Sequence, residues 1–147
     1  MEIIRTYHKI LSETTDLALA TCVENKPNVR VLSFIFDREK PGVLYFATES
    51  ISPKVAEALL NEHVAFTTVP KAGQAHVRSN ETVMKKSPFG LDRFKDDFIA
   101  RVPACAGIFA AMGDQLDVYE LHIKNAVLVT GFEKPLKIAF TQIDYEF

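Results

Sequence analysis

The residues that could do chemistry in this chain gather in the stretch 45–54, YFATESISPK, where an apolar run breaks into hydroxyls, a proline and a lysine. Ser52 followed by Pro53 suits a helix start, a hydroxyl at the N-cap and a ring whose fixed φ fits the first helical position. Lys54 then falls in the first turn, where the positive end of the helix dipole disfavours a cation by about 0.3–1 kcal/mol. A phosphate at that place reverses the sign: helix N–H groups, the hydroxyls of Thr48, Ser50 and Ser52, and the Lys54 ammonium can converge on one anion. An ordinary capped helix and a phosphate cradle both fit the decapeptide.

Two further features bear on that choice. In NVRVLSFIF, strand alternation puts Arg30 on one face with Leu32, Phe34 and Phe36, and Val29, Val31, Ser33 and Ile35 on the other. An arginine on an apolar stripe either snorkels out from the strand end or meets an anion, and beside Lys54 it makes a second cation near one helix start. In QAHVRSN, His76 and Arg78 alternate with Ala75, Val77 and Ser79, the pattern of a polar outer face on a half-buried strand. Other signatures are missing: no GxSxG elbow, no Walker-type loop and no GxGxxG after a strand. The acids lie mostly in turns and on polar helix faces. Cys22 and Cys105 sit far apart in apolar surroundings, and His8, His63, His76 and His122 are scattered. Neither a disulfide nor a metal site is expected.

The elements that must position these residues follow from periodicity. Ile3, Ile4, Tyr7, Ile10 and Leu11 recur at helical spacing and predict a helix over 2–13. Strands are predicted at 17–23, 29–36 and 43–48, joined by the turns ENKP and DREKPG into an antiparallel meander. A short helix over 55–62 follows, then the strands HVAFTTV and QAHVRSNETVM around the turn Pro70–Gly73, then a helix over 91–100. DVYELHI and AVLVTGF, joined at Lys124–Asn125, complete seven strand candidates, while KPLKIAFTQIDYEF carries no assignable pattern. The sum is a mainly β fold, an antiparallel barrel of six to seven strands with helices on its edges.

At 147 residues the chain suits a single domain over 1–147 with one core rather than two. Its 48% hydrophobic and 24% charged residues are those of a globular protein, and no run approaches the roughly 20 apolar residues that cross a bilayer. A net charge of −2 without a basic cluster leaves no nucleic-acid footprint. The N-terminal MEIIRTYHKILSETTD mixes charges through its apolar positions, unlike a signal peptide, so cytoplasmic residence is expected.

The order of these segments is informative beyond each of them. A strand, a Pro-x-x-Arg strand (Pro27 to Arg30), an aromatic-x-Thr strand end (Phe46 to Thr48), a Ser-x-Lys helix start (Ser52 to Lys54) and an x-Val-Arg strand (His76 to Arg78) follow one another. Over about residues 10–84 this resembles the FMN-binding split-barrel family that includes the pyridoxamine 5'-phosphate oxidase-like flavoproteins. The resemblance implies FMN at the interface of a homodimer. It implies Arg30, Val31, Leu32 and Ser33 along the flavin ring, with Arg30 able to approach its polar edge or phosphate side. Phe46, Ala47 and Thr48 would line the ring and ribityl chain, Ser52 and Lys54 would hold the phosphate, and His76 would reach the cofactor from a neighbouring strand. Two departures stand out. Asn80 occupies a position where many relatives carry glycine, and the chain has no tryptophan and lacks the C-terminal substrate-binding segment of the oxidases themselves, so that particular activity is not implied.

The function that follows is an FMN-dependent oxidoreductase passing a hydride or electrons between the flavin and a small molecule, with NADH or NADPH as candidate donor. The alternative is a carrier or sensor module of the same fold that holds a flavin or haem without catalysis. No residue in the sequence stands out as a catalytic proton donor.

Overall fold

The computed structural model describes residues 2–140. Helix α1 (Glu2–Ser12) is followed by β1 (Asp16–Val23) and β2 (Lys26–Ser33). Their connection is a two-residue turn in which Glu24 and Asn25 adopt φ of 53° and 63°, the pairing whose twist matches that of the flanking strands. The strand therefore restarts at Lys26, and Pro27 sits inside β2 opposite Cys22, tolerated because β2 ends the sheet order. The chain continues as β3 (Ile35–Phe36), β4 (Val43–Glu49), α2 (Pro53–Leu60), β5 (His63–Thr68) and β6 (His76–Lys86). Then come α3 (Leu91–Arg101), α4 (Cys105–Met112), β7 (Leu116–Val129) and β8 (Leu136–Ala139).

The sheet runs β2-β1-β5-β6-β7-β4-β3, with β8 added to β7, and its pairings are antiparallel. β2 and β3 stand at opposite ends of that order, yet only Phe34 separates them in the chain. The sheet therefore curls until one short segment joins both of its ends, which makes it a barrel. Phe34 is the hinge of that closure: its side chain is fully buried and its N–H donates to the Thr15 carbonyl at 3.0 Å.

This topology corrects several boundaries. The strand expected over 29–36 divides at Phe34, because its first part pairs with β1 and its last part with β4. The two strands expected at 117–123 and 126–132 are one: β7 runs unbroken through Lys124 and Asn125, pairing with β4 in its first half and β8 in its second. α4 and β8 lie where no element was expected. Of the unpatterned tail, 141–147 lies outside the described residues.

Among the described residues two hydrophobic clusters form, not one. Leu17, Leu19, Phe34, Leu44, Phe46, Val64, Phe66, Val77, Leu121 and Ile123 fill the barrel, joined by Tyr7, Ile10 and Leu11 of α1. Burying each of those α1 side chains is worth about 1.5–3 kcal/mol, so packing rather than propensity holds the helix. The second cluster sits outside the barrel, where Leu91, Phe94, Phe98 and Phe109 of α3 and α4 cover Ile35, Val43, Tyr45 and Val118. β4 is thus covered on both faces, which is why Val43, Leu44, Tyr45 and Phe46 are buried in succession. On the same outer face of β7, the buried Glu120 and His122 bond to each other at 2.9 Å, and Ser87 donates to the Glu120 carboxylate.

Candidate functional site

The site lies where β1, β2 and β4 run out of core and α2 passes across them. Along the inward face of β4, Leu44 and Phe46 belong to the barrel core, and Thr48, the next residue on that face, closes the series. After Thr48 the chain turns at Glu49–Ser52, with the Ser52 N–H donating to the Glu49 carbonyl at 3.1 Å, and α2 begins at Pro53. Val55 anchors the helix by entering the barrel core.

Ser52 occupies the N-cap position in extended backbone, φ −68° and ψ 153°, yet its hydroxyl makes no capping bond to the helix. It accepts instead from the Thr48 hydroxyl at 3.2 Å, and the Lys54 ammonium donates to Thr48 Oγ1 at 2.8 Å. Three of the sequence-derived candidates therefore converge on one spot. Lys54 is half-buried, and among the described residues its ammonium forms no ion pair. Its pKa lies below the ordinary lysine value, chiefly through burial and then through the nearby Arg30 guanidinium, with Glu49 opposing the shift. An ammonium with no acid partner among those residues, next to a second cation and an uncapped helix start, fits a bound anion.

Arg30 does not snorkel away. Its guanidinium donates to Glu57 Oε1 at 2.8 Å, to Thr21 Oγ1 at 2.9 Å and to the Leu19 carbonyl at 3.2 Å. Thr21 in turn donates to Glu57 Oε1 at 3.1 Å, and the Asn28 amide donates to Glu57 Oε2. These bonds hold the Glu57 carboxyl below the usual carboxylate range, the Asn28 bond contributing most among those that lower it. Glu57, Thr21 and Asn28 were not singled out from sequence. The available signal was Arg30 itself: a cation on a half-buried face needs an acceptor, and Glu57 is the one acid within α2.

The other candidates are dispersed. Val31 is 63% exposed on the outer face of β2 beside Val29 at 70%, while Leu32 packs against the barrel core. Ser33 donates to Asp16 at 3.1 Å. The Phe46 ring is 0% exposed, stacked on Tyr119 in the core, and Ala47 packs against the outer cluster. His76, at the start of β6, has its Nδ1 2.8 Å from the Gln74 carbonyl and no hydrogen bond to the cradle. On the outside of the barrel a groove of about 720 Å³, lined by Ala18, Ala20 and Ala65, runs between Val29 and the polar residues Arg78 and Asn80.

Comparison with known proteins adds three findings. The family model described as pyridoxamine 5'-phosphate oxidase-like matches residues 10–134. No curated protein sequence matches the chain. Among solved structures, the heme binding protein from Mycobacterium smegmatis superposes with a TM-score of 0.74 at 13% identity, covering 92% of this chain and 57% of its own. General Stress Protein 26 from Bacillus anthracis gives 0.69 at 14% identity, covering 94% and 100%. A Clostridium acetobutylicum protein related to general stress protein 26, of the pyridoxinephosphate oxidase family, gives 0.72 at 11% identity, covering 98% of both chains. At these identities the superpositions establish the barrel fold. The chain spans little more than half the length of the mycobacterial protein.

Proposed function

Because the chain belongs to the pyridoxamine 5'-phosphate oxidase-like family, we propose that it binds FMN, through the cradle of Thr48, Ser52 and Lys54, and works as a small flavin-dependent oxidoreductase on a small molecule. The observation that carries this reading is the Lys54 ammonium, held 2.8 Å from Thr48 Oγ1 with no carboxylate paired to it among the described residues. A phosphate monoester with a charge of about −1.5 to −2 supplies the missing counter-ion and accepts from both hydroxyls. Bound flavin supplies the redox chemistry, taking up and giving back a hydride or electrons. The chain's own residues bind and orient: Lys54 and the hydroxyls fix the phosphate end, Arg30 adds positive charge alongside, and the strand Arg30–Ser33 with Ala47 offers backbone and small side chains for a ring to lie along. His76, which makes no bond to the cradle, is proposed to reach the cofactor from the neighbouring strand β6.

We propose further that two chains pair about the outer face of β2, which closes the site. The exposed Val29 and Val31 and the small-residue floor beside them support an isologous contact. The whole of 1–147 is read as one FMN-binding domain. Free thiols at Cys22 and Cys105 accord with a cytoplasmic setting, and no helix among the described residues is long and apolar enough to cross a membrane.

The test is the visible spectrum of the purified protein, before and after incubation with FMN and desalting. A flavin spectrum released as FMN on denaturation supports the reading, and a protein that stays colourless refutes it. A carrier of haem is the second reading, motivated by the structural likeness to the mycobacterial heme binding protein. Haem in place of flavin in the released chromophore would favour it. Anaerobic mixing with NADH or NADPH then separates enzyme from carrier, since only a catalyst bleaches the flavin at a catalytic rate.

A further inference from the structure

We infer that Glu57 lowers the cradle's affinity for phosphate by neutralising Arg30, and so sets how tightly the site holds its phosphorylated ligand. This rests on the phosphate reading of the cradle. Glu57 follows Lys54 by three residues, which puts both on one face of α2. Its Oε1 takes the Arg30 Nη2 donor at 2.8 Å. Arg30 is nevertheless fixed by two other acceptors, the Leu19 carbonyl at 3.2 Å and the Thr21 hydroxyl at 2.9 Å, both through Nη1. The carboxylate is therefore redundant for aiming the guanidinium but not for its charge. Without Glu57, two cations would share the strand ends and the helix start with only the more distant charge of Glu49 to offset their repulsion, which the effect of Arg30 on the Lys54 ammonium already registers. With Glu57 ionised, the ligand-free cradle is tolerated, and an arriving phosphate meets one full cation and one largely compensated.

The experiment is a comparison of Glu57→Gln with the wild type by three titrations: FMN, riboflavin and inorganic phosphate. The glutamine side chain keeps the length and can still accept from Arg30, while one negative charge is removed. The expected result is a Kd for FMN and for inorganic phosphate about tenfold lower, the scale of one unit charge acting on a phosphate across a partly solvated site. Riboflavin, which lacks the phosphate, binds the two proteins equally. Glu57→Met, of similar length and also uncharged, moves FMN binding in the same direction and serves if Glu57→Gln does not fold. FMN bound no more tightly by the folded variants than by the wild type, or riboflavin gaining as much as FMN, overturns the inference. A wild type that binds neither FMN nor phosphate removes the phosphate reading itself, whereas a wild type that binds FMN with unresponsive variants removes only the role of Glu57.

Discussion

Lys54→Met separates a ligand contact from a structural one. In the free protein the ammonium contributes one hydrogen bond, to Thr48 at 2.8 Å, worth about 1 kcal/mol net. Against that stand its partial burial, its nearness to Arg30 and a position in the first turn of α2, which costs about 0.3–1 kcal/mol. Methionine keeps an unbranched stem and removes both sides of the balance, so the urea-unfolding free energy of the ligand-free variant is expected within about 1 kcal/mol of the wild type. Binding behaves differently. A charge-assisted bond to phosphate contributes about 1.5–3 kcal/mol, so the FMN dissociation constant, read from flavin fluorescence quenching, should rise about 10- to 150-fold. Riboflavin should bind both proteins alike. Equal losses in FMN affinity and folding stability, or an equal loss for riboflavin, would refute the argument that Lys54 faces a phosphate.

The same lysine carries a pH dependence. Its folded pKa lies below the ordinary value, through burial first and Arg30 second, so over that window the unfolded chain binds more protons and stability rises with pH. Urea midpoints of the wild type relative to Lys54→Met should therefore improve as pH rises toward the ordinary lysine value of about 10.4; a flat difference would contradict it. Arg101→Leu removes a guanidinium that donates to the Leu11 and Thr14 carbonyls and lies 4.7 Å and 4.9 Å over the Phe34 and Phe36 rings. The expected loss is about 2–4 kcal/mol, seen in urea unfolding together with faster proteolysis at α1. Gly42→Ala would bring a Cβ to 3.0 Å from Phe140 Cγ and 3.1 Å from its Cβ. That overpacking should cost about 1–3 kcal/mol by thermal unfolding.

What the sequence revealed and what it hid divide along the range of the interactions. Alternation in DLALATCV and helical spacing in EIIRTYHKILS are local, and both elements are present. The division at Phe34 was hidden because alternation runs through it unbroken: Arg30, Leu32 and Phe34 keep to the inner face while the strand changes partners from β1 to β4. Lys124–Asn125 looked like a turn because both are polar. Asn125 instead donates to Glu81 across a bulged stretch of β6, so its polarity serves a cross-strand contact. CAGIFAAM gave no helical stripe, being apolar nearly all round. In the site, Thr48, Ser52 and Lys54 lie within seven residues and could be read together. The set of Thr21, Asn28, Arg30 and Glu57 comes together only once α2 is laid across β1.

The barrel's alternation also explains why a polar cluster forms at this end at all. On β1 the inward series is Leu17, Leu19, then Thr21; on β4 it is Leu44, Phe46, then Thr48. On β2, which runs the other way, Leu32 is followed by Arg30, opposite Leu19 in the register. Each strand places one polar residue a step of two beyond its last core side chain, on the same face. All three polar residues therefore arrive at one rim, and α2, pinned there by Val55, brings Lys54 and Glu57 to it from above. In this arrangement the aromatic of Phe46-Ala47-Thr48 has a different task from lining a ring. Phe46, wholly buried against Tyr119, fixes the pleat of β4, and that pleat turns the Thr48 hydroxyl toward Lys54. Substituting Phe46 should thus weaken ligand binding only as far as it loosens the strand, whereas substituting Thr48 removes a contact.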